Sequence, residues 1–238
     1  MSINPILIKT KNYRQVALIE ILLIFFVLIM GDLTKSISES RGDQIVTSVL
    51  LILEAFYLLL LFQLVRFLQS NTMFAKIFMG FIIVVFILSF IALNPFVEIV
   101  ADKIPWLIAV HIILCSMECF VIGLGLRDIY DVDLRIAERL WGSVAVYLLI
   151  ALGWASFYEI IVLATPTGLG VSLTPGYQTY SESLYYSLCS ISGTGTVYTN
   201  PSHLVRNLAL IEAVWGVLFL VMLIGRLFSL PSKEKGDH

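Results

Sequence analysis

Residues 183 to 201, SLYYSLCSISGTGTVYTNP, set small, aromatic and hydroxylated side chains directly ahead of a run of glycine, threonine and valine. Such a run has the chemistry to replace the water around a cation. An ion leaving water must exchange its hydration oxygens for others, and backbone carbonyls supply them where the chain is extended and free to turn its C=O groups. Gly193 and Gly195 permit such conformations, and Ser192, Thr194 and Thr196 add hydroxyl oxygens, with Val197 closing the run. No Asp or Glu stands between Ser192 and Pro201, which argues against a calcium pore built on a carboxylate ring. Just before the run, Ser181 and Glu182 open an apolar and aromatic stretch through Leu184, Tyr185, Tyr186, Leu188, Cys189 and Ile191. It reads as a helix of about eleven residues, too short to cross a bilayer but long enough to enter and return. Its C-terminal end would turn about half a negative charge towards a cation. Non-helical backbone at membrane depth is tolerated only where protein buries it or where it lines water. Spacing alone leaves one alternative open: a polar external loop of a six-helix secondary transporter.

The elements that must hold this segment are membrane spans. Of 238 residues, 59% are hydrophobic and only 13% charged, which cannot wrap a soluble core in a solvated surface. Six apolar runs are long enough to count as spans: Val16 to Met30, Ile45 to Phe67, Ile77 to Leu93, Ile104 to Leu126, Leu140 to Leu163 and Asn207 to Leu230. The first is short and follows Lys9, Lys11 and Arg14. Gly31, Asp32 and Leu33 come after it rather than a small-x-small cleavage site, so it reads as a span and not a signal peptide. With both termini inside, 11 of the 15 Lys and Arg fall on the cytoplasmic side, and only Lys35, Arg41, Lys103 and Arg206 lie outside. The expectation is a multi-pass protein of the cell membrane, plasma or inner, with both termini cytoplasmic. A net charge of −2 gives no sign of a nucleic-acid partner. Cys115, Cys119 and Cys189 sit in apolar surroundings and read as small packing residues. The link from about Ala164 to Arg206 is the long one; its first part, TPTGLGVSLTPGYQTY, reads as an exposed turret.

At these residues the chain resembles the pore domain of prokaryotic potassium channels, built as outer helix, pore helix, filter and inner helix. The family reads like A-L-Y-F-S-V-V-T-L-T-T-V-G-Y-G-D, and Ser183 to Tyr198, SLYYSLCSISGTGTVY, fits it without a gap. The inner helix is closer still: Arg206 to Phe228, RNLALIEAVWGVLFLVMLIGRLF, is similar to R-L-L-A-V-L-E-A-L-V-G-V-L-F-L-A-L-L-I-A-R-L-V nearly position for position. The resemblance covers about the last hundred residues and implies a homotetramer, since one copy supplies a quarter of a coordination ring. In this register T-V-G-Y-G becomes Gly193, Thr194, Gly195, Thr196 and Val197, and the following aspartate becomes Tyr198. Val197 replaces a glycine expected at positive φ, which a β-branched residue resists. A gapped register that sets TVY at 196 to 198 on the family's T-V-G-Y is the alternative. Tyr185, Tyr186 and Tyr198 are expected to support the filter. Glu212 matches an acid that bonds behind the filter, and Gly216 matches a hinge glycine, close packing being its other reading.

The four spans ahead of the pore occupy the position of a voltage sensor. A sensor needs arginines recurring within its fourth segment, each supplying about 2.3 kcal/mol per 100 mV. IPWLIAVHIILCSMECFVIGLGL contains none. It carries His111, Cys115 and Glu118 on one helical face instead, with Glu20 and Glu54 in the first two spans. His111 and Glu118 are candidates for sensing, against a satisfied packing network. RDIYDVDLRIAERLW, between the fourth and fifth spans, reads as a short amphipathic segment at the membrane surface. The expected organisation is an all-α membrane protein. Residues 1–128 form a four-helix bundle without sensor arginines, 129–230 a pore domain with a re-entrant pore helix between the fifth and sixth spans, and 231–238 a short cytoplasmic tail with no nucleotide-binding domain. The expected function is a homotetrameric channel for K+ or monovalent cations through an atypical filter, without steep voltage gating. A six-helix transporter and a non-conducting channel-like protein are the alternatives. No enzyme chemistry, cofactor or metal beyond the permeant cations is expected, because no nucleophile sits beside a base and the histidines lack ligand spacing.

Overall fold

The computed structural model describes residues 5–36, 40–69, 71–97, 99–130, 134, 136–165 and 167–228. Among them are seven helices and no strand: α1 Pro5–Ser36, α2 Ser40–Leu68, α3 Thr72–Leu93, α4 Ile104–Ile129, α5 Ile136–Ala164, α6 Tyr177–Ser192 and α7 His203–Phe228. All but α6 are long and apolar enough to cross a membrane, so the chain is a multi-pass membrane protein. The tail at 231–238 lies outside the described residues.

Local chemistry sets the helix ends. Asn71 caps α3, its side-chain oxygen accepting the Met73 N–H at 2.9 Å, so the helix starts five residues before the apolar run does. Asn94 closes the same helix by accepting the N–H groups of Phe96 at 2.9 Å and Val97 at 3.3 Å. Asp102 accepts the Ile104 N–H at 3.0 Å, and Pro105 stands in the first turn of α4, where its missing N–H costs nothing.

Helix α5 is the centre of the bundle. It packs on α4, α6, α1 and α7, and 61% of its span is buried, against 17% for α7. Gly142, Ser143, Ala145, Ala151, Gly153, Ala155 and Ser156 are all buried on it, and such small side chains let neighbouring backbones come close where hydrophobicity gives helices no reason to associate. Helix α7 lies at the edge, with Leu210, Trp215, Val217 and Val221 among its exposed side chains. The main core runs through α1 to α5 and reaches Leu184 of α6.

Two expectations are corrected. The surface segment between the fourth and fifth spans is no separate element: α4 runs on to Ile129, α5 begins at Ile136, and Asp131, Val132, Asp133 and Arg135 lie outside the described residues. Glu138 and Arg139 are buried in α5, with the Arg139 Nε donating to the Ile129 carbonyl at 3.1 Å. The exposed turret is only partly exposed: Leu169 is fully buried against Tyr158, Val162, Tyr186 and Val205. The Ser202 N–H reaches the Gly168 carbonyl at 2.9 Å and ties the start of the long link to its end.

Candidate functional site at the C-terminal end of α6

Helix α6 has 16 residues, about 24 Å at 1.5 Å per residue, short of the roughly 30 Å of a hydrocarbon core. It starts four residues earlier than the sequence suggests, after Gly176, and the Thr179 hydroxyl donates to the Thr174 carbonyl at 2.6 Å across that turn. Three of its hydroxyls each meet a carboxylate from a different helix. Tyr177 reaches Glu54 of α2 at 3.5 Å, the long limit of a hydrogen bond. Ser183 donates to Glu159 of α5 at 3.3 Å. The Ser187 Oγ stands 2.5 Å from Glu212 of α7 and 2.8 Å from the Ala151 carbonyl. The Tyr158 hydroxyl donates to the other Glu212 oxygen at 2.8 Å.

The C-terminal end of α6 is a Schellman turn. Gly193 adopts φ +70°, its N–H bonds to the Ser190 carbonyl at 3.1 Å, and the Thr194 N–H bonds to the Cys189 carbonyl at 3.1 Å. A left-handed residue is needed there, and Gly193 takes it at no steric cost. The Ser192 hydroxyl donates to the Leu188 carbonyl at 2.6 Å and stands 3.0 Å from the Thr194 hydroxyl. The Tyr147 hydroxyl holds the Ile191 carbonyl at 3.1 Å. Gly216 of α7 lies against that same Ile191, whose Cγ1 is 2.8 Å from where a Cβ on Gly216 would stand.

Beyond the turn the chain leaves helix. Gly195 takes φ +80°, Ser192 to Gly195 are exposed, Thr196 is half-buried, and Val197 is 73% exposed. Every positive φ among the described residues belongs to a glycine, so Val197 does not copy the glycine conformation expected in its register. The far end is fastened by aromatics. The Tyr198 ring lies 6.3 Å from Tyr185 and 6.0 Å from Tyr186, Tyr186 meets Tyr158 edge-on at 5.0 Å, and the Tyr198 hydroxyl donates to Glu182. The residues from 194 to 197 are thus a largely exposed, glycine-bearing strip held at both ends, rich in oxygen and free of charge.

The residues singled out in the sequence therefore fall into two places. Ser192 to Val197, Tyr185, Tyr186, Tyr198, Glu212 and Gly216 gather around the C-terminal half of α6. His111 and Glu118 do not join them; they are buried in the front bundle, where Glu118 accepts from Tyr57 at 2.5 Å and His111 lies 5.5 Å from the Tyr180 ring. The front network is incompletely satisfied, since both oxygens of buried Glu20 have no hydrogen-bond partner among the described residues. Sequence reasoning missed Glu159, fully buried in α5. Its signal was present, an acid inside the apolar run GWASFYEIIVLA, by the same rule that marked Glu20 and Glu54. No protein-family model, curated protein or solved structure matches the chain.

Proposed function

We propose that the chain is one subunit of a homotetrameric cation channel of the potassium channel superfamily, with α5, α6 and α7 as outer, pore and inner helices. The carrying observation is the exposed strip from Thr194 to Val197, fastened at one end by the Gly193 turn and at the other by Tyr198. Carbonyl and hydroxyl oxygens of Ser192, Thr194, Gly195 and Thr196 replace the hydration shell of K+ or Na+, and one strip gives a fraction of each ring, so four chains surround the ion path. The bare apolar face of α7 beside this polar strip supports that arrangement: copies of the chain cover what a single copy leaves exposed. Glu212, Ser187 and Tyr158 brace the pore helix from behind. The front bundle, whose α4 carries no arginine before Arg127 in its last turn, gives little voltage dependence.

The test joins stoichiometry to transport. Cross-linking in membranes is expected to stop at four chains, and liposomes holding the purified protein are expected to pass Rb+ but not Cl−. A strictly monomeric protein that moves ions, or a tetramer impermeable to monovalent cations in every condition, removes the reading.

A further inference from the structure

A chamber of about 80 Å³ lies in the front bundle, between α1, α2, α3, α4 and the start of α6. Its walls are apolar, with Leu23, Val27 and Leu107 among them, and its polar groups are Glu54, Tyr57, Ser89, His111, Tyr177 and Tyr180. The donors in this set are largely spent. Ser89 and Tyr177 both give their hydroxyl protons to Glu54, and Tyr57 gives its own to Glu118. The carboxylate of Glu54 has no cationic partner among the described residues.

His111 adds a second open acceptor. Its Nδ1 stands 2.9 Å from the Leu107 carbonyl, which can only accept, so the proton is on Nδ1 and the lone pair on Nε2. The ring is 8% exposed and lines the chamber, and Nε2 has no hydrogen-bond partner among the described residues. An acid without a counter-charge and a free imidazole lone pair lack one thing in common, a positively charged donor.

A wider space adjoins the chamber. A second cavity of about 520 Å³, lined by Asn94, Lys103, Thr174 and Gln178, shares Leu93, Gly176 and Tyr177 with it. It lies beside the α3–α4 and α5–α6 links, and its one charged lining residue is the half-buried Lys103.

We infer that this chamber is a binding site for a small alkylammonium ion, reached past Tyr177 and held with its ammonium between Glu54 and His111 Nε2 and its alkyl group on the apolar wall. The size sets the class: a cavity of about 150 Å³ takes benzene, so about half that volume takes one or two carbons on nitrogen and excludes quaternary ions with ethyl arms. The site does not depend on conduction and is read by binding alone.

The probe is ethylammonium chloride, titrated calorimetrically into the full chain in lipid nanodiscs, with NaCl and tetraethylammonium chloride at equal ionic strength as controls. Saturable binding at one site per chain is expected, at least tenfold weaker in Glu54→Gln and weakened in His111→Phe, with no saturable signal from either control. Val27→Phe, which adds a ring inside the chamber and leaves Glu54 in place, is expected to abolish binding while the helical circular dichroism is kept. This second variant decides the matter if Glu54→Gln does not fold. Absence of saturable ethylammonium binding, the result for a chamber that holds only water, overturns the inference. So does binding that survives Val27→Phe, or that a folded Glu54→Gln leaves unchanged.

Discussion

The backbone of Ile191, at the last turn of α6, lies directly against Gly216 of α7, so close that a Cβ on Gly216 would stand 2.8 Å from Ile191 Cγ1 and 3.2 Å from its carbonyl carbon. The carbonyl oxygen is nearer still and is itself held by Tyr147. Gly216 therefore has a packing role whatever else it does. The obstacle is backbone rather than the tip of a flexible chain, so Gly216→Ala is expected to destabilise the α6–α7 contact by about 1–3 kcal/mol. The check is thermal unfolding in detergent, where a drop of several degrees is expected. A variant with unchanged stability and altered opening alone would point to a hinge instead.

Glu212 receives the Tyr158 hydroxyl on one oxygen and faces the Ser187 Oγ with the other. Ser187 has one proton and the Ala151 carbonyl is also within 2.8 Å. A glutamine satisfies all three groups by accepting from Tyr158 and donating to Ser187, which then donates to Ala151. Glu212→Gln is expected to keep the fold, whereas Glu212→Ala leaves two buried hydroxyls without this partner, at about 1–3 kcal/mol each. Unfolding midpoints of the two variants, measured side by side, check the order; equal loss in both would contradict it.

The strip from 194 to 197 is exposed and Gly195 holds φ +80° with nothing within 4 Å of a would-be Cβ. Gly195→Ala thus meets no neighbour, only the left-handed backbone, at about 1–2 kcal/mol. It is expected to lower the midpoint of unfolding by only a few degrees while cutting cation flux at least tenfold.

Val197 and Thr196 stand where the potassium channel pattern has glycine and tyrosine. Losing those outer rings leaves fewer sites in series, so weak preference for K+ over Na+ is expected. The double substitution Thr196→Tyr with Val197→Gly is expected to sharpen that preference if the ungapped register holds. Reversal potentials under K+ and Na+ gradients read it directly. A wild type already strongly K+-selective, or unchanged ratios in the double variant, would contradict this account of the filter.

Between Lys103 and Arg127, α4 contains no Lys or Arg. Any conductance is expected to vary only weakly with membrane potential, because each missing charge removes about 2.3 kcal/mol per 100 mV. Conductance–voltage curves check this; steep activation equivalent to several charges per subunit would refute it.

The spans were legible because hydropathy over about twenty residues overrides local detail. Their ends were not. The α3 N-terminus is set by the Asn71 cap and α5 takes in Glu138 and Arg139, so polar turns that hydropathy assigns to loops are helical. The start of α6 was misplaced for a similar reason: Tyr177 to Tyr180 looks like loop beside Pro175 and Gly176, and the contacts that hold it, Tyr177 with Glu54, Tyr180 with His111 and Thr179 with Thr174, are not visible in local sequence. At the site, residue types showed that oxygen-bearing groups cluster after a short helix. They did not show that Gly193 caps that helix, that Tyr198 reaches back to Glu182, or that Gly216 faces Ile191, because each is a contact between positions that sequence spacing does not relate.

Recording from the purified protein in a planar bilayer, with K+ on one side and Na+ on the other, tests conduction through the 194–197 strip most directly. Discrete unitary currents are expected, carried by monovalent cations, reversing at a modest potential, indifferent to Cl− replacement and lost in Gly195→Ala. A folded tetramer that gives no unitary current at any potential, or currents that Gly195→Ala leaves untouched, would contradict it.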